Sequence, residues 1–221
     1  VIAAASGRVI FLGSDQGIEL GIGMGFYGNA VVVQIDQNYL HQPIYILYGH
    51  LNTTLVKIGQ RVTQGEQLGT VGGTGVAKGG SHLHLEIRVG YNDYLSTRNP
   101  ELWIRPFQGW GTLAGRITDE DANLIPMANI TIRSVALDDQ EQGPLHRYTT
   151  TYVRETVNPD DVLGENFVIS DLPAGTYNVS VNNSRSTLSK TVYVGADQLA
   201  WVEFSDINAR ASWTPTPADE Q

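Results

Sequence analysis

GGSHLHLEIRVG, residues 79–90, is the stretch that decides how this chain is read. It holds two of the five histidines, one residue apart. Side chains alternate between the two faces of an extended strand. Alternation therefore puts His82, His84, Glu86 and Arg88 on one face and Leu83, Leu85, Ile87 and Val89 on the other. The second set reads as an apolar wall packed inward. The first set is wholly polar or ionisable, with its two imidazoles about 7 Å apart along the strand. Two rings at that spacing can serve one centre, one binding a metal while the other handles a proton or an oxyanion beside it. They can equally be structural, and the spacing alone leaves both readings open.

The surroundings favour chemistry. Immediately upstream, GGTGVAKGG (72–80) places five glycines within nine residues, a turn with little side-chain bulk beside the histidine face. Glycine there lets another backbone approach closely. A third histidine, His50, stands at the exit of IYILYGHLN (44–52), where a strand fixes a side chain that solvent can still reach. His41 and His146 fall in loop-like contexts and are assigned no role.

Outward from this core, no long run carries apolar residues at helical spacing. Short β-branched or alternating segments recur instead: GRVIFLG (7–13), NAVVVQI (29–35), PIYILYGHL (43–51) and EQLGTVG (66–72). Two prolines, two tryptophans and paired glycines interrupt the rhythm in RNPELWIRPFQGWG (98–111), which places a domain boundary at residue 108. From 109 to 207 about seven more strands at roughly ten-residue spacing predict a small antiparallel sandwich. The tail, 208–221, is rich in Pro, Thr and acid and reads as a linker or disordered end.

Composition bounds the partners. With 41% apolar and 17% charged residues the chain is an ordinary globular protein, and its apolar runs are too short to span a bilayer. There is no cysteine, so any metal must be held by His, Asp or Glu. The first 108 residues carry seven basic and seven acidic side chains; the rest carry seven and sixteen, the whole of the net charge of −9. That acidity disfavours nucleic acid and anionic lipid as partners.

YGHLN (48–52) followed by VKIGQRVTQGEQLGTVGGTGVAKGGSHLHLEIR (56–88) resembles the core of the lysostaphin-like (LytM-type) zinc metallopeptidases. That family shows Tyr-x-His-Leu, then Gly-Gln-x-Val-x-x-Gly, then Gly-x-Thr-Gly and His-Leu-His. VIAAASGRVIFLG (1–13) and GNAVVVQID (28–36) resemble its opening and central strands. The resemblance covers residues 1–106 and implies an all-β chain. Its first part would be an antiparallel peptidase domain of the duplicated-hybrid-motif type, with a groove holding one Zn²⁺. By position, His84 would be a zinc ligand, and His50 and His82 the catalytic pair flanking the zinc-bound water. The substrate class would be peptidoglycan peptides, in a secreted or envelope protein of a bacterium.

The family's other two ligands, a His and an Asp, precede the segment matching VIAAASG. The resemblance therefore implies that they stand before Val1, and that the chain as given is inactive and holds zinc weakly or not at all. Asp15 and Asp36 lack a histidine at matching spacing and are not promoted to ligands. The alternative is a degenerate member that binds or activates another wall hydrolase. A biotinyl- or lipoyl-carrier reading of the Gly-Gln-x-Val-x-x-Gly stretch fails, because neither Lys57 nor Lys78 has the hairpin setting a carrier lysine needs.

In the second half, GTLAGRITDEDANLIPMANITIRS (111–134) and FVISDLPAGTYNVSV (167–181) resemble the carboxypeptidase-regulatory-like sandwiches appended to secreted enzymes. This implies a seven-stranded Ig/transthyretin-like domain that serves as a spacer or meets a wall or protein partner. Tyr177 is expected to pack across a sheet edge. DEDAN (119–123) is an acidic turn that can be simply solvated or can attract Ca²⁺.

Overall fold

Β-branched runs dominate both halves of the sequence, and both fold as sheet. The structure, a computed structural model, describes residues 1–135, 144–153, 155–183 and 186–205. The tail at 208–221 lies outside them. The chain divides into two units, Val1–Trp103 with Arg154–Asn158, and Ile104–Val153 with Pro159–Gln221. The division thus falls five residues before the expected 108, at the first indole of the boundary stretch rather than at its glycines. Among the described residues there is no α-helix, only two one-turn 3₁₀ segments at Tyr94–Ser96 and Pro100–Leu102. No helix there is long and apolar enough to cross a membrane.

The first unit contains β1 (Gly7–Ser14), β2 (Asn29–Tyr39), β3 (Gln42–Gly49), β4 (Leu51–Thr54), β5 (Arg61–Val62), β6 (Gly69–Val71), β7 (His84–Val89) and β8 (Thr97–Arg98). Six of these form one sheet in the order β5-β1-β2-β3-β7-β8, every pair antiparallel. Strand β2 shows why this sheet is the scaffold. Its run Ala30-Val31-Val32-Val33 is buried without alternation because both faces are covered. Val31 and Val33 join Ile44, Ile46, Tyr48 and Ile87 in one core. Ala30 and Val32 join Leu47, Leu20 and Tyr27 in a second, roofed by the segment between β1 and β2.

The second unit holds β9 (Trp110–Ile117), β10 (Asn129–Ser134), β11 (His146–Thr150), β12 (Phe167–Pro173), β13 (Gly175–Asn183), β14 (Ser186–Val194) and β15 (Leu199–Phe204). A four-stranded sheet, β11-β10-β13-β14, and a three-stranded sheet, β12-β9-β15, share a core that includes Leu113, Ile130, Phe167, Val179 and Phe204. Seven strands were expected here. One pairing departs from the expected antiparallel pattern: β15 lies parallel to β9, from Leu199↔Thr112 to Phe204↔Ile117. Tyr177 does not cover an edge. It is buried in the core, and its hydroxyl donates to Pro173 O at 2.6 Å. In the acidic turn, Asp119 Oδ1 accepts the backbone N–H groups of Asp121 and Asn123 at 3.0 and 2.8 Å, so that carboxylate closes its own turn.

Glu165 gives this unit a pH dependence. Fully buried, it accepts Tyr152 Oη at 3.0 Å and the Asp160 N–H at 2.9 Å. Burial raises its pKa above 4.5 against the lowering effect of those bonds, and the nearby Asp160 charge adds to the rise. The folded state therefore keeps a proton that the unfolded state releases, and stability falls as pH rises from 4.5 through the folded value. The difference in melting temperature between wild type and Glu165→Gln is expected to shift against the wild type as pH rises across that window. A pH-independent difference, measured by calorimetry, contradicts this.

Candidate active site

Register across the sheet brings the histidines together. Strand β3 pairs with β7 so that Gly49 faces His84, Leu47 faces Glu86 and Tyr45 faces Arg88. His50 follows β3 with φ of 59°, a left-handed turn that a non-glycine residue adopts only when its surroundings hold it there. Two glycine-rich segments supply that hold. The His50 N–H donates to Tyr27 O at 2.8 Å, and its ring Nδ1 lies 2.9 Å from Thr74 O. His82 lies outside β7, bridged to Gly72, with its Nδ1 2.9 Å from Gly80 O.

The three predicted residues form one cluster. The His50 ring centroid lies 4.9 Å from that of His82 and 5.3 Å from that of His84. Phe26 and Tyr27 close the other side, with ring centroids 5.9 and 5.1 Å from His84. His50 is the inner ring, 1% exposed, His84 is half-buried, and His82 is the outer ring, open to solvent. A backbone carbonyl can only accept a hydrogen bond. The Nδ1 atoms of His50 and His82 therefore carry hydrogen, and each Nε2 lone pair is open in the neutral ring. Burial, with the neighbouring His84 and His82 adding to it, outweighs the bond to Thr74 and lowers the pKa of His50 below 6.5. His50 is thus a neutral proton acceptor at physiological pH.

The rest of the polar face differs from an open groove. Glu86 and Arg88 share the His84 face, yet both are buried beneath the segment running from Asp15 to Gly28. Arg88 donates to Glu86 Oε2 through Nε at 2.9 Å and Nη2 at 2.8 Å. It also donates to Leu20 O, Tyr27 Oη and Asn92 Oδ1. Tyr27 Oη donates to Glu86 Oε1, which accepts His84 Nε2 at 2.9 Å as well. Burial pushes the Glu86 carboxyl up, but the bonds from His84, Tyr27 and Arg88 and the Arg88 charge reverse that and hold it below the usual carboxylate range. Leu85 and Ile87 do pack inward as expected, against the core that contains Ile46 and Tyr48, and Val89 is buried, but Leu83, expected on the same wall, is exposed.

Sequence reasoning gave no role to Tyr27, Glu86 or Arg88. Alternation placed the last two on the histidine face, but nothing local announces the roof that buries them. Thr74 was also missed. Its Oγ1 accepts the Asn29 N–H and donates to Leu51 O, tying the loop that holds His50. Asp15 is a brace: its two oxygens accept the N–H groups of Tyr27 and Gly28 at 2.8 and 2.9 Å. Asp36 is taken up by Arg61, at 2.7 Å.

Gly75 shows how tightly the two loops meet. Its φ is +71°, and a Cβ there would fall 2.3 Å from Gly28 N and 2.6 Å from Phe26 O. Gly75→Ala is expected to destabilise the first unit by about 1–3 kcal/mol and to draw Thr74 O away from His50. Urea unfolding indistinguishable from wild type contradicts that close approach.

Zinc requires more than this cluster gives. A zinc site normally takes at least three protein ligands. Among the described residues no group of three His, Asp or Glu side chains is placed to hold a metal. These residues, with His84 alone as the expected ligand, do not by themselves fit a zinc site.

Comparison with known proteins places the cluster in a family context. Residues 1–96 match Peptidase family M23. The chain is 38% identical over 86 residues to the peptidoglycan DD-endopeptidase ShyC of Vibrio cholerae, covering 39% of this chain and 18% of that protein. It is 33% identical over 88 residues to the murein hydrolase activator NlpD of Escherichia coli, covering 40% of this chain and 19% of that protein. It is 32% identical over 88 residues to lipoprotein NlpD of Yersinia enterocolitica, covering 40% of this chain and 75% of that protein. The match thus spans less than a fifth of the first two relatives.

Proposed function

Since this chain belongs to peptidase family M23 through residues 1–96, we propose that the intact protein is an endopeptidase of the bacterial wall that hydrolyses the peptide part of peptidoglycan. The observation that carries this reading is the convergence of His50, His82 and His84, with ring centroids 4.9 and 5.3 Å from His50. The anchored Nδ1 atoms leave two neighbouring imidazoles with open Nε2 positions. The outer ring, His82, meets the substrate. It can take a proton from an attacking water and return one to the leaving amine. His50, held neutral beside it, keeps that pair able to accept a proton at wall pH. The name of ShyC, a DD-endopeptidase, supports the substrate class. The lipoprotein among the relatives supports a place in the cell envelope.

A second reading has its own support. The murein hydrolase activator NlpD among the relatives favours a module that stimulates a separate wall hydrolase. Metal analysis of the intact protein separates the two. The enzyme is expected to retain about one tightly bound Zn²⁺ per chain. A protein that binds no zinc, and that stimulates a partner hydrolase equally well as His84→Ala, is an activator.

A further inference from the structure

The three rings of the cluster do not present the same nitrogen. His50 and His82 each place Nδ1 against a backbone carbonyl, Thr74 O and Gly80 O. His84 instead places Nε2 against a carboxylate oxygen, Glu86 Oε1, at 2.9 Å. The geometry points to Glu86 as the positioning residue of the cluster, fixing neutral His84 with hydrogen on Nε2 so that Nδ1 is its open lone pair. This rests on the reading of His84 as a working residue of the site.

The direction of each hydrogen bond around Glu86 can be followed. Arg88 is a donor only, and it occupies Oε2 twice, through Nε and Nη2. Its Nη2 also donates to Tyr27 Oη, which commits the phenol's own hydrogen to Glu86 Oε1. Glu86 is thereby an acceptor at both oxygens. If His84 carried its hydrogen on Nδ1 instead, the Nε2 lone pair would face the Oε1 lone pair at 2.9 Å, acceptor against acceptor. Of the two neutral tautomers, only the Nε2–H form satisfies the network. Glu86 is itself locked, its side chain 5% exposed against a fully buried Arg88. A carboxylate fixed in this way sets both the tautomer and the plane of the ring it holds.

A merely structural role is the competing account, in which the network pins the segment from Leu20 to Tyr27 and His84 is a bystander. Ring-nitrogen NMR of the full-length, metal-free protein tells them apart, and it is read whether or not the protein cleaves anything. At a pH about two units above the ordinary histidine value of ~6.5, His84 is expected to show hydrogen on Nε2 only, and His50 and His82 hydrogen on Nδ1 only. Glu86→Ala is expected to average the two His84 nitrogens while leaving those of His50 and His82 in place. Glu86→Gln keeps a single acceptor oxygen, which the Arg88 donors claim, so it turns its amide N–H toward His84 and is expected to move the hydrogen to Nδ1. In the active protein, Glu86→Ala is expected to lower kcat about 10–100-fold with KM little changed. A wild-type His84 that carries hydrogen on Nδ1, or that already averages both forms, overturns the assignment even if Glu86→Ala fails to fold. Absence of wall-peptide cleavage with the tautomers as stated overturns the functional reading and leaves the positioning role intact.

Discussion

Arg88→Ala is expected to destabilise the first unit by about 3–5 kcal/mol, the cost of leaving a buried charge without its partner. Arg88 is fully buried and donates to Glu86 Oε2, Leu20 O, Tyr27 Oη and Asn92 Oδ1. Removing it strands the Glu86 carboxylate under the Asp15–Gly28 segment and leaves a backbone carbonyl unpaired. Hydrogen exchange of the β2 and β7 amides reads this loss locally, apart from the second unit. The double variant Glu86→Gln with Arg88→Met is expected to recover much of the stability, because no buried charge is then uncompensated. A single-variant loss below about 1 kcal/mol would mean that water reaches Glu86 and that the roof over β7 is looser than described.

His50→Ala and His82→Ala are each expected to lower kcat for wall-peptide cleavage by about 10²–10⁴-fold. The rings lie 4.9 Å apart, the inner one buried and the outer one exposed, and on the proposed reading they would handle one proton between them. Groups acting as a unit are not additive, so the double variant should be little worse than either single one. The lowered pKa of His50 also gives a sign for the pH profile. A base must be unprotonated, so the acid limb of kcat/KM assigned to His50 is expected below pH 6.5. Full activity in His50→Ala, or an acid limb well above that value, contradicts the pair.

How much of this was legible depended on range. The strands could be read because β-branched runs such as Val31–Val33 and Ile44–Ile46 report burial locally. The inward wall of Leu85 and Ile87 followed from alternation alone. His50, His82 and His84 were named from motif order, and antiparallel register then brings Gly49 opposite His84, which seats His50 beside it. What escaped was set at long range. The segment that roofs Glu86 and Arg88 is glycine-rich and aperiodic, so alternation placed both on the polar face with no sign that a buried ion pair stands there. His82 falls just short of the strand because its N–H pairs with Gly72 O, a partner that spacing does not reveal. The parallel approach of β15 to β9 is likewise a matter of how the sandwich closes, which no local pattern encodes. Tyr177 looked like an edge residue because DLPAGTY reads as a turn leading into the next strand, yet its own side chain lies in the core.

On the proposed reading the histidine cluster belongs to a working wall peptidase. The most direct test of that reading is to incubate the intact protein with purified peptidoglycan and count newly released amino termini, beside His84→Ala handled identically. Release by the wild type is expected, with none above background for the variant, which must remain folded by circular dichroism. Equal release by both proteins, or none by a zinc-loaded wild type, would contradict it.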